Sequence, residues 1–422
     1  MTEEEGVTIS EYLSTVMKSS FGDVLGRSIL KKQLNDLDID LKDASPRDIH
    51  KLSNRIYEVT QDMGDENAKA TKEKIEKAKR LLEGDVPWKT KVAKGDACTE
   101  MSRLQKAKRL YEEALEECGV EEEKGEIYRK IGRLFQRLED YDKSEDYYDK
   151  AIKTSSDPVE ITICMEGKSG ALWRQGKHKE ALQTAKMGME ELKGMTVLSR
   201  NDAEKKKMYE AMLCRSMGNI YLDLYEKDKA IEYSKKAIEL YKELNKKANA
   251  GAVYNNLARV FEDFEEFDTA IKNYDKAVRL CKESGSRFMG GWAMFNYASA
   301  LCEVGQPDKA LEYCDKSRRI MEDFNHRLGR ARVDCMEAKA YKVKGLYDKS
   351  EEKFQKSLEL LKGAQATDYV EITLLEYARM LEDKGETDRA VEKLERAQKI
   401  HGDKEQTITS KRVEDFLKEL KL

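Results

Sequence analysis

The sequence predicts an all-α fold: a solenoid of stacked helical hairpins preceded by a small helical module. Three observations predict it. The segments YEKDKAIEYSKKAIEL, EEFDTAIKNYDKAVRL, GQPDKALEYCDKSRRI, GLYDKSEEKFQKSLEL and GETDRAVEKLERAQKI start at Tyr225, Glu265, Gly305, Gly345 and Gly385, a steady interval of 40 residues. Within each segment small residues recur at helical spacing. Charged residues make up 38% of the chain and proline only 4 of 422 positions, which suits long helices bathed in solvent. A hairpin that cannot bury its apolar face alone needs neighbours, so this period implies a binding surface and not a catalytic pocket.

The elements follow in chain order. Residues 1–86 lie outside the repeat and form the small helical module. Ile9, Leu13, Val16, Val24, Leu25, Ile29, Leu30 and Leu34 have helical spacing. Ser45 is placed to cap a second helix with Pro46 at its first position, and Ile49, Leu52, Ile56 and Val59 continue that helix's apolar face. A third helix is expected from about Glu66 to Leu82, then the link EGDVPWK. The module is expected to dock on the first repeat through Trp88 or to pair with a second copy as a homodimer.

Residues 87–402 hold about eight repeat units, the first degenerate. Its helix A covers roughly Trp88 to Met101, and its helix B carries Ala107, Tyr111 and Ala114. Gly132, Phe135, Ser144, Tyr148 and Ala151 mark the next unit, and Ser169, Leu172, Ala181, Ala185 and Gly188 the one after. From Ala181 to Ala230 the interval is 49 residues, and the excess falls around ELKGMTVLSRNDAEKKK, which predicts a longer loop near Gly194.

The regular units then begin with Cys214, Met217, Gly218 and Tyr221 on helix A and Ala230, Ser234 and Ala237 on helix B. The next has Tyr254, Leu257, Ala258 and Phe261, then Ala270, Tyr274 and Ala277. Small residues at Gly218, Ala258, Ala298, Ala338 and Ala378 let helix A touch helix B. Ala230, Ala270, Ala310, Ser350 and Ala390 answer them, while Tyr221, Phe261, Leu301, Tyr341 and Leu381 fill the space between. Residues 403–422 form a capping helix with Ile408, Val413, Phe416, Leu417 and Leu420 on its apolar side.

Composition excludes several classes. The 78 basic and 82 acidic side chains leave a net charge of −4, against a nucleic-acid partner. Residues 1–86 alone hold 14 Lys and Arg against 18 Asp and Glu, the wrong sign for a DNA-binding reading of SPRDIHKLSNRI. No apolar run approaches the ~20 residues of a membrane span, and the acidic start MTEEEG is unlike a secretory signal, so a cytoplasmic protein without a membrane partner is expected. Eight cysteines without a C-x-x-C pair read as reduced core thiols. The four histidines lie far apart, so no metal site is expected, and His178 is assigned to an inter-helix turn. FMGG at Phe288–Gly291 is likewise assigned to an inter-repeat turn. No phosphate-binding glycine motif or catalytic constellation is present, so neither cofactor nor enzymatic activity is expected.

The Cys214–Tyr221 and Ala230–Ala237 patterns match the W-x2-L-G-x2-Y…A-x3-F pattern of tetratricopeptide repeats. Over about residues 88–400 the chain resembles that family. Its 40-residue period, longer than the family's usual ~34, is similar to that of mitotic-spindle scaffolds of the LGN type and of bacterial peptide-pheromone receptors. SMGNIYLDLYEKDKAIEYSKKAIEL is the most similar stretch.

The resemblance implies a right-handed superhelix whose concave side, lined by A helices, holds an extended or helical peptide. The family's groove-facing positions are occupied here by Arg129, Arg133 and Arg137, Trp173 and Arg174, Arg215 and Asn219, and Asn255, Asn256, Arg259 and Glu262. Further along they are Trp292, Phe295, Asn296 and Ser299, then Arg332 and Lys339. Amides can pair with an extended backbone, guanidinium forks suit carboxylates, and aromatics anchor interfaces. Arg215, Asn219 and Asn256 match part of the family's carboxylate clamp, but Trp292 and Asn296 stand where it carries basic residues. That departure argues against a chaperone ligand. The resemblance implies a non-enzymatic scaffold or adaptor for a protein or peptide with an acidic segment; the alternative is a peptide-responsive sensor whose N-terminal module is the effector.

Overall fold

A computed structural model describes residues 8–78, 87–362, 367–401 and 408–421. Among these residues there are 21 α-helices and no strand. The chain divides into two compact units, Met1–Phe264 with Arg279–Ser286, and Glu265–Val278 with Arg287–Leu422.

The first unit begins with α1 (Ile9–Phe21), α2 (Asp23–Asp36), α3 (Pro46–Thr60) and α4 (Asp65–Lys77). The module therefore has four helices and not three. The periodic run from Ile9 to Leu34 breaks at Gly22, whose φ of 88° is open to glycine and strained for other residues. The turn brings Gly26 onto α1 so closely that a Cβ there would lie 2.4 Å from the Met17 carbonyl oxygen. Val24 is then left 73% exposed, outside the core the spacing suggested. Ser45 caps α3 with Pro46 at its first position, as expected, and Asp48 completes a capping box. The expected extension of α4 to Leu82 and most of the link EGDVPWK lie outside the described residues.

Hairpins follow as α5 (Pro87–Glu100) with α6 (Leu104–Glu117), α7 (Glu121–Arg137) with α8 (Tyr141–Thr154), α9 (Pro158–Arg174) with α10 (His178–Lys193), and α11 (Arg200–Asp223) with α12 (Lys227–Glu243). Helix α13 (Lys247–Asp263) completes the series in this unit, and within it α7, α9, α11 and α13 touch in succession. The extra residues after Ala181 are only partly a loop. A connection at 194–199 ends at the cap Ser199, and the rest adds turns to α11, at 24 residues the longest helix among the described residues.

Helix α14 (Phe267–Glu283) belongs to the second unit up to Val278 and to the first from Arg279. The second unit continues with α15 (Arg287–Glu303), α16 (Pro307–Asp323), α17 (Arg327–Val343), α18 (Tyr347–Leu361), α19 (Thr367–Asp383), α20 (Thr387–His401) and α21 (Ile408–Leu420). FMGG is inside the first turns of α15 and not in a turn between repeats. Gly291 lets α16 approach, since a Cβ there would meet Ile320 at 3.0 Å, and its carbonyl accepts from Ser317 Oγ at 2.8 Å. His178 likewise opens α10.

Each hairpin is held by one close contact and one turn. Gly218 has no room for a side chain, since a Cβ would lie 2.8 Å from Ser234 Oγ. Ala258, Ala298, Ala338, Ala378, Ala230, Ala270, Ala310, Ser350 and Ala390 have no exposed surface. Where serine replaces alanine, its hydroxyl is satisfied across the contact: Ser350 Oγ donates to the Ala338 carbonyl at 2.8 Å and Ser144 Oγ to the Gly132 carbonyl at 2.9 Å. The bulky position ends helix A, and the Leu301, Tyr341 and Leu381 carbonyls each accept the N–H five residues on, closing a Schellman turn.

The core of α1–α4 is continuous with that of the first hairpins, from Ile9 through Cys98 and Tyr111 to Phe135, with Trp88 packed against it. Val413 and Leu417 bury the apolar side of α21 against α19 and α20; the side chain of Ile408 lies outside the described residues. All eight cysteines are buried thiols, and burial pushes Cys335 up to about 12, so that sulfur is a poor nucleophile. Among the described residues no helix is long and apolar enough to cross a membrane. Ala338→Asp would bury a carboxylate against α18 and displace the Ser350 hydrogen bond. A loss of about 3 kcal/mol or more is expected in a denaturant melt followed by circular dichroism, whereas an unchanged midpoint would refute the register.

Candidate functional site

In the first unit, successive A helices present their outer faces to one cleft of about 730 Å³. Arg137 comes from α7, Trp173 and Arg174 from α9, Arg215 and Asn219 from α11, and Asn256 and Arg259 from α13. The repeat puts them there, since A helices carried at one register by successive hairpins turn the same face the same way.

The charges differ in how far they are already spent. Among the described residues Arg259 has no ion-pair partner and is exposed. The Arg174 guanidinium lies 4.9 Å from the Trp173 ring centroid and has no carboxylate partner. Arg215 reaches Glu166 only at 3.5 Å, a half-exposed contact that contributes little. Asn256 Nδ2 donates to Asn219 Oδ1 at 2.9 Å and Asn256 Oδ1 accepts from Asn255 Nδ2, so among the described residues the Asn219 N–H groups are the ones left to meet a ligand. Asn255 is hydrogen-bonded to Asn256 at 3.4 Å and is not part of the lining.

Sequence reasoning missed the acidic half of the lining. Glu139, Glu166 and Asp223 stand among the arginines, and the Trp173 indole N–H donates to Asp223. Among 82 acidic residues nothing in their spacing singles these three out.

Arg129 and Arg133 are not in this cleft; they line a separate, smaller one against α5 and the module. Arg129 is paired with Glu160.

The expected site residues of the second unit form their own group. The Arg332 guanidinium lies 4.6 Å from the Trp292 ring, 4.5 Å from Phe295 and 4.7 Å from Tyr369. Phe295 is only 8% exposed and is a packing residue. Asn296 is half-buried on the same helix. Burial works to discharge Lys339, but Glu376 and Glu303 outweigh it and raise its pKa. Among the described residues no group of three or more His, Cys, Asp or Glu could hold a metal ion.

Sequence and structure comparisons agree with this architecture. Models of the tetratricopeptide repeat family match residues 125–158 and 209–283. Those two segments are tetratricopeptide repeats. No curated protein matches it. Among solved structures it resembles a Rap protein complexed with Competence and Sporulation Factor, at 16% identity and a TM-score of 0.55, covering 92% of this chain and 99% of the other. The apo form of RapI is similar at 16% identity and a TM-score of 0.58, covering 84% and 97%. Aspartyl phosphate phosphatase F from Bacillus subtilis is similar at 13% identity and a TM-score of 0.55, covering 97% of each chain. At such identities the likeness shows a shared fold.

His326 sits beside the Arg332 group and caps α17, its Nδ1 accepting from Gly329 N–H at 2.9 Å. Phe288 and Trp292 contact its ring edge to face. Burial, and then the charge of Arg332, hold its pKa below the ordinary imidazole value of 6.5. The folded state therefore binds fewer protons there, so the contribution is full above that value and is lost as pH falls through the lowered one. Melting temperature should drop between about pH 7.5 and 5.5, and His326→Asn, which can still cap, should flatten that drop. An equal drop in both proteins would contradict this role.

Proposed function

We propose that the chain is a non-enzymatic scaffold that holds an extended peptide segment of a partner protein in the cleft of the first unit. The observation that carries this reading is that four A helices in succession contribute four guanidinium groups, three amides and an indole to one cleft. Amides that can both donate and accept suit a peptide backbone. Arg174 and Arg259, which lack carboxylate partners, suit acidic side chains, and Glu139, Glu166 and Asp223 make room for a basic one. The ligand is thus acidic or of mixed charge. Trp292, Asn296 and Arg332 are proposed as a further contact region for the same class of ligand, supported from behind by Phe295 and Lys339. The partner is met in the cytoplasm.

A second reading, the peptide-responsive sensor, is favoured by the way the module is fastened. The Glu66 carboxylate of α4 accepts from Ala248 N–H at the start of α13, and Asn67 N–H donates to the Ser284 carbonyl at 3.1 Å. Gly64 and Gly285 meet backbone to backbone, so close that a Cβ on Gly64 would be 2.4 Å from Gly285 Cα. Helix α13 thus carries cleft residues Asn256 and Arg259 and also ends on the module, so a ligand that shifts α13 disturbs the Glu66 cap.

The adaptor reading is tested by selecting peptides from a displayed library on the full chain and measuring their affinity by fluorescence anisotropy. Arg174→Gln with Arg259→Gln should weaken the selected peptides by roughly tenfold or more, with affinity falling as salt rises. Unaltered affinity in that variant would refute the cleft as the binding site.

A further inference from the structure

A second cleft, of about 170 Å³, lies where α1 and α4 of the module face α5 and α7. The peptide reading leaves it unused, although Arg137 borders both clefts. Its volume corresponds to about six waters at ~30 Å³ each, too small for a peptide and sufficient for a single tetrahedral anion.

The charges lining it fall into two sets. One set is already neutralised. Lys130 Nζ lies 2.6 Å from Asp96 Oδ2, the Tyr111 hydroxyl donates to Asp96 Oδ1 at 2.7 Å, and Arg129 is paired with Glu160. The other set is not. Among the described residues Lys77 of α4 and Arg133 of α7 have no carboxylate partner, and Arg137 gives one guanidinium N–H to the Thr99 carbonyl and keeps the rest. Against these three cations stands the exposed carboxylate of Glu100. Tyr12 closes one wall, its hydroxyl donating to the Lys74 carbonyl at 3.1 Å.

Three cations against one carboxylate leave an excess of two positive charges. A phosphate monoester carries about −1.5 to −2 at neutral pH and presents three acceptor oxygens. Guanidinium forks match that geometry, and a lysine adds a point charge. We propose that this cleft binds a phosphate group, free or esterified, between Lys77 of the module and Arg133 and Arg137 of the second repeat. Because its ligands come from both sides, an occupied site ties the module to the repeats. Carboxylate ligands carry half the charge and leave the excess uncompensated.

Isothermal titration of the full chain at low ionic strength, with inorganic phosphate, O-phosphoserine and acetate, tests the proposal. One saturable site for a phosphate-bearing ligand and none for acetate is expected. Preference for inorganic phosphate would identify the free ion as ligand, and preference for phosphoserine an ester. Lys77→Gln with Arg133→Gln, both exposed and so compatible with an unchanged circular dichroism spectrum, should weaken binding about tenfold or more. Arg174→Gln with Arg259→Gln, in the larger cleft, should leave it unchanged, which separates this site from the peptide reading. No saturable heat with either phosphate form, equal binding of acetate, or full binding by the Lys77 and Arg133 variant would overturn the assignment.

Discussion

Everything else in this protein depends on helix A meeting helix B at a single small residue on each. At Gly218 the gap is too narrow for a methyl group, and at Ala258, Ala298, Ala338 and Ala378 a methyl fills it completely. That contact sets the spacing within a hairpin, and the Schellman turn behind it sets the angle. Repeated at one register, the two devices aim successive A helices at a common cleft. The surface proposed to bind peptide is thus a by-product of core geometry, and a change at a small core position alters the cleft without touching a lining residue.

The arginines show why position alone does not define a site. Sequence placed Arg129, Arg133, Arg174, Arg215 and Arg259 in equivalent roles. In the structure Arg129 is consumed by Glu160, Arg215 is loosely held by Glu166, and Arg174 and Arg259 carry no carboxylate. A guanidinium already paired must lose that partner before it can bind a ligand, so in the proposed peptide site the unpartnered ones would dominate recognition. The same logic separates Lys339, enclosed by two carboxylates, from Arg332, which lies over three aromatic rings.

The fold was legible because its signal is local and repeated. A 40-residue period, small residues at fixed offsets and an N-cap before Pro46 are all visible within one hairpin or one helix. What stayed hidden depends on contacts remote in sequence. The break at Gly22 follows from the seat that α1 gives Gly26. FMGG looked like a turn because two glycines in a row often make one, but here they accommodate α16. Glu66 and Ala248 are 182 residues apart, and neither belongs to a motif. The cleft's arginines and amides were legible from the repeat register; its three carboxylates were not, because acidic residues are everywhere on this surface.

The fastening of α4 to α13 makes the larger cleft and the N-terminal module parts of one mechanical problem. A carboxylate on the first turn of a helix offsets the positive end of its dipole, so Glu66 stabilises α13 from outside the repeats. The central claim is that a peptide lies across α9, α11 and α13. Hydrogen–deuterium exchange of the full chain, with and without a library-selected peptide, tests it most directly. Protection should appear in the segments carrying Trp173, Asn219 and Arg259, with a change in exchange at the start of α13 where Glu66 caps it. Protection confined to α2, α3 or the B helices, with these segments unaltered, would contradict the account.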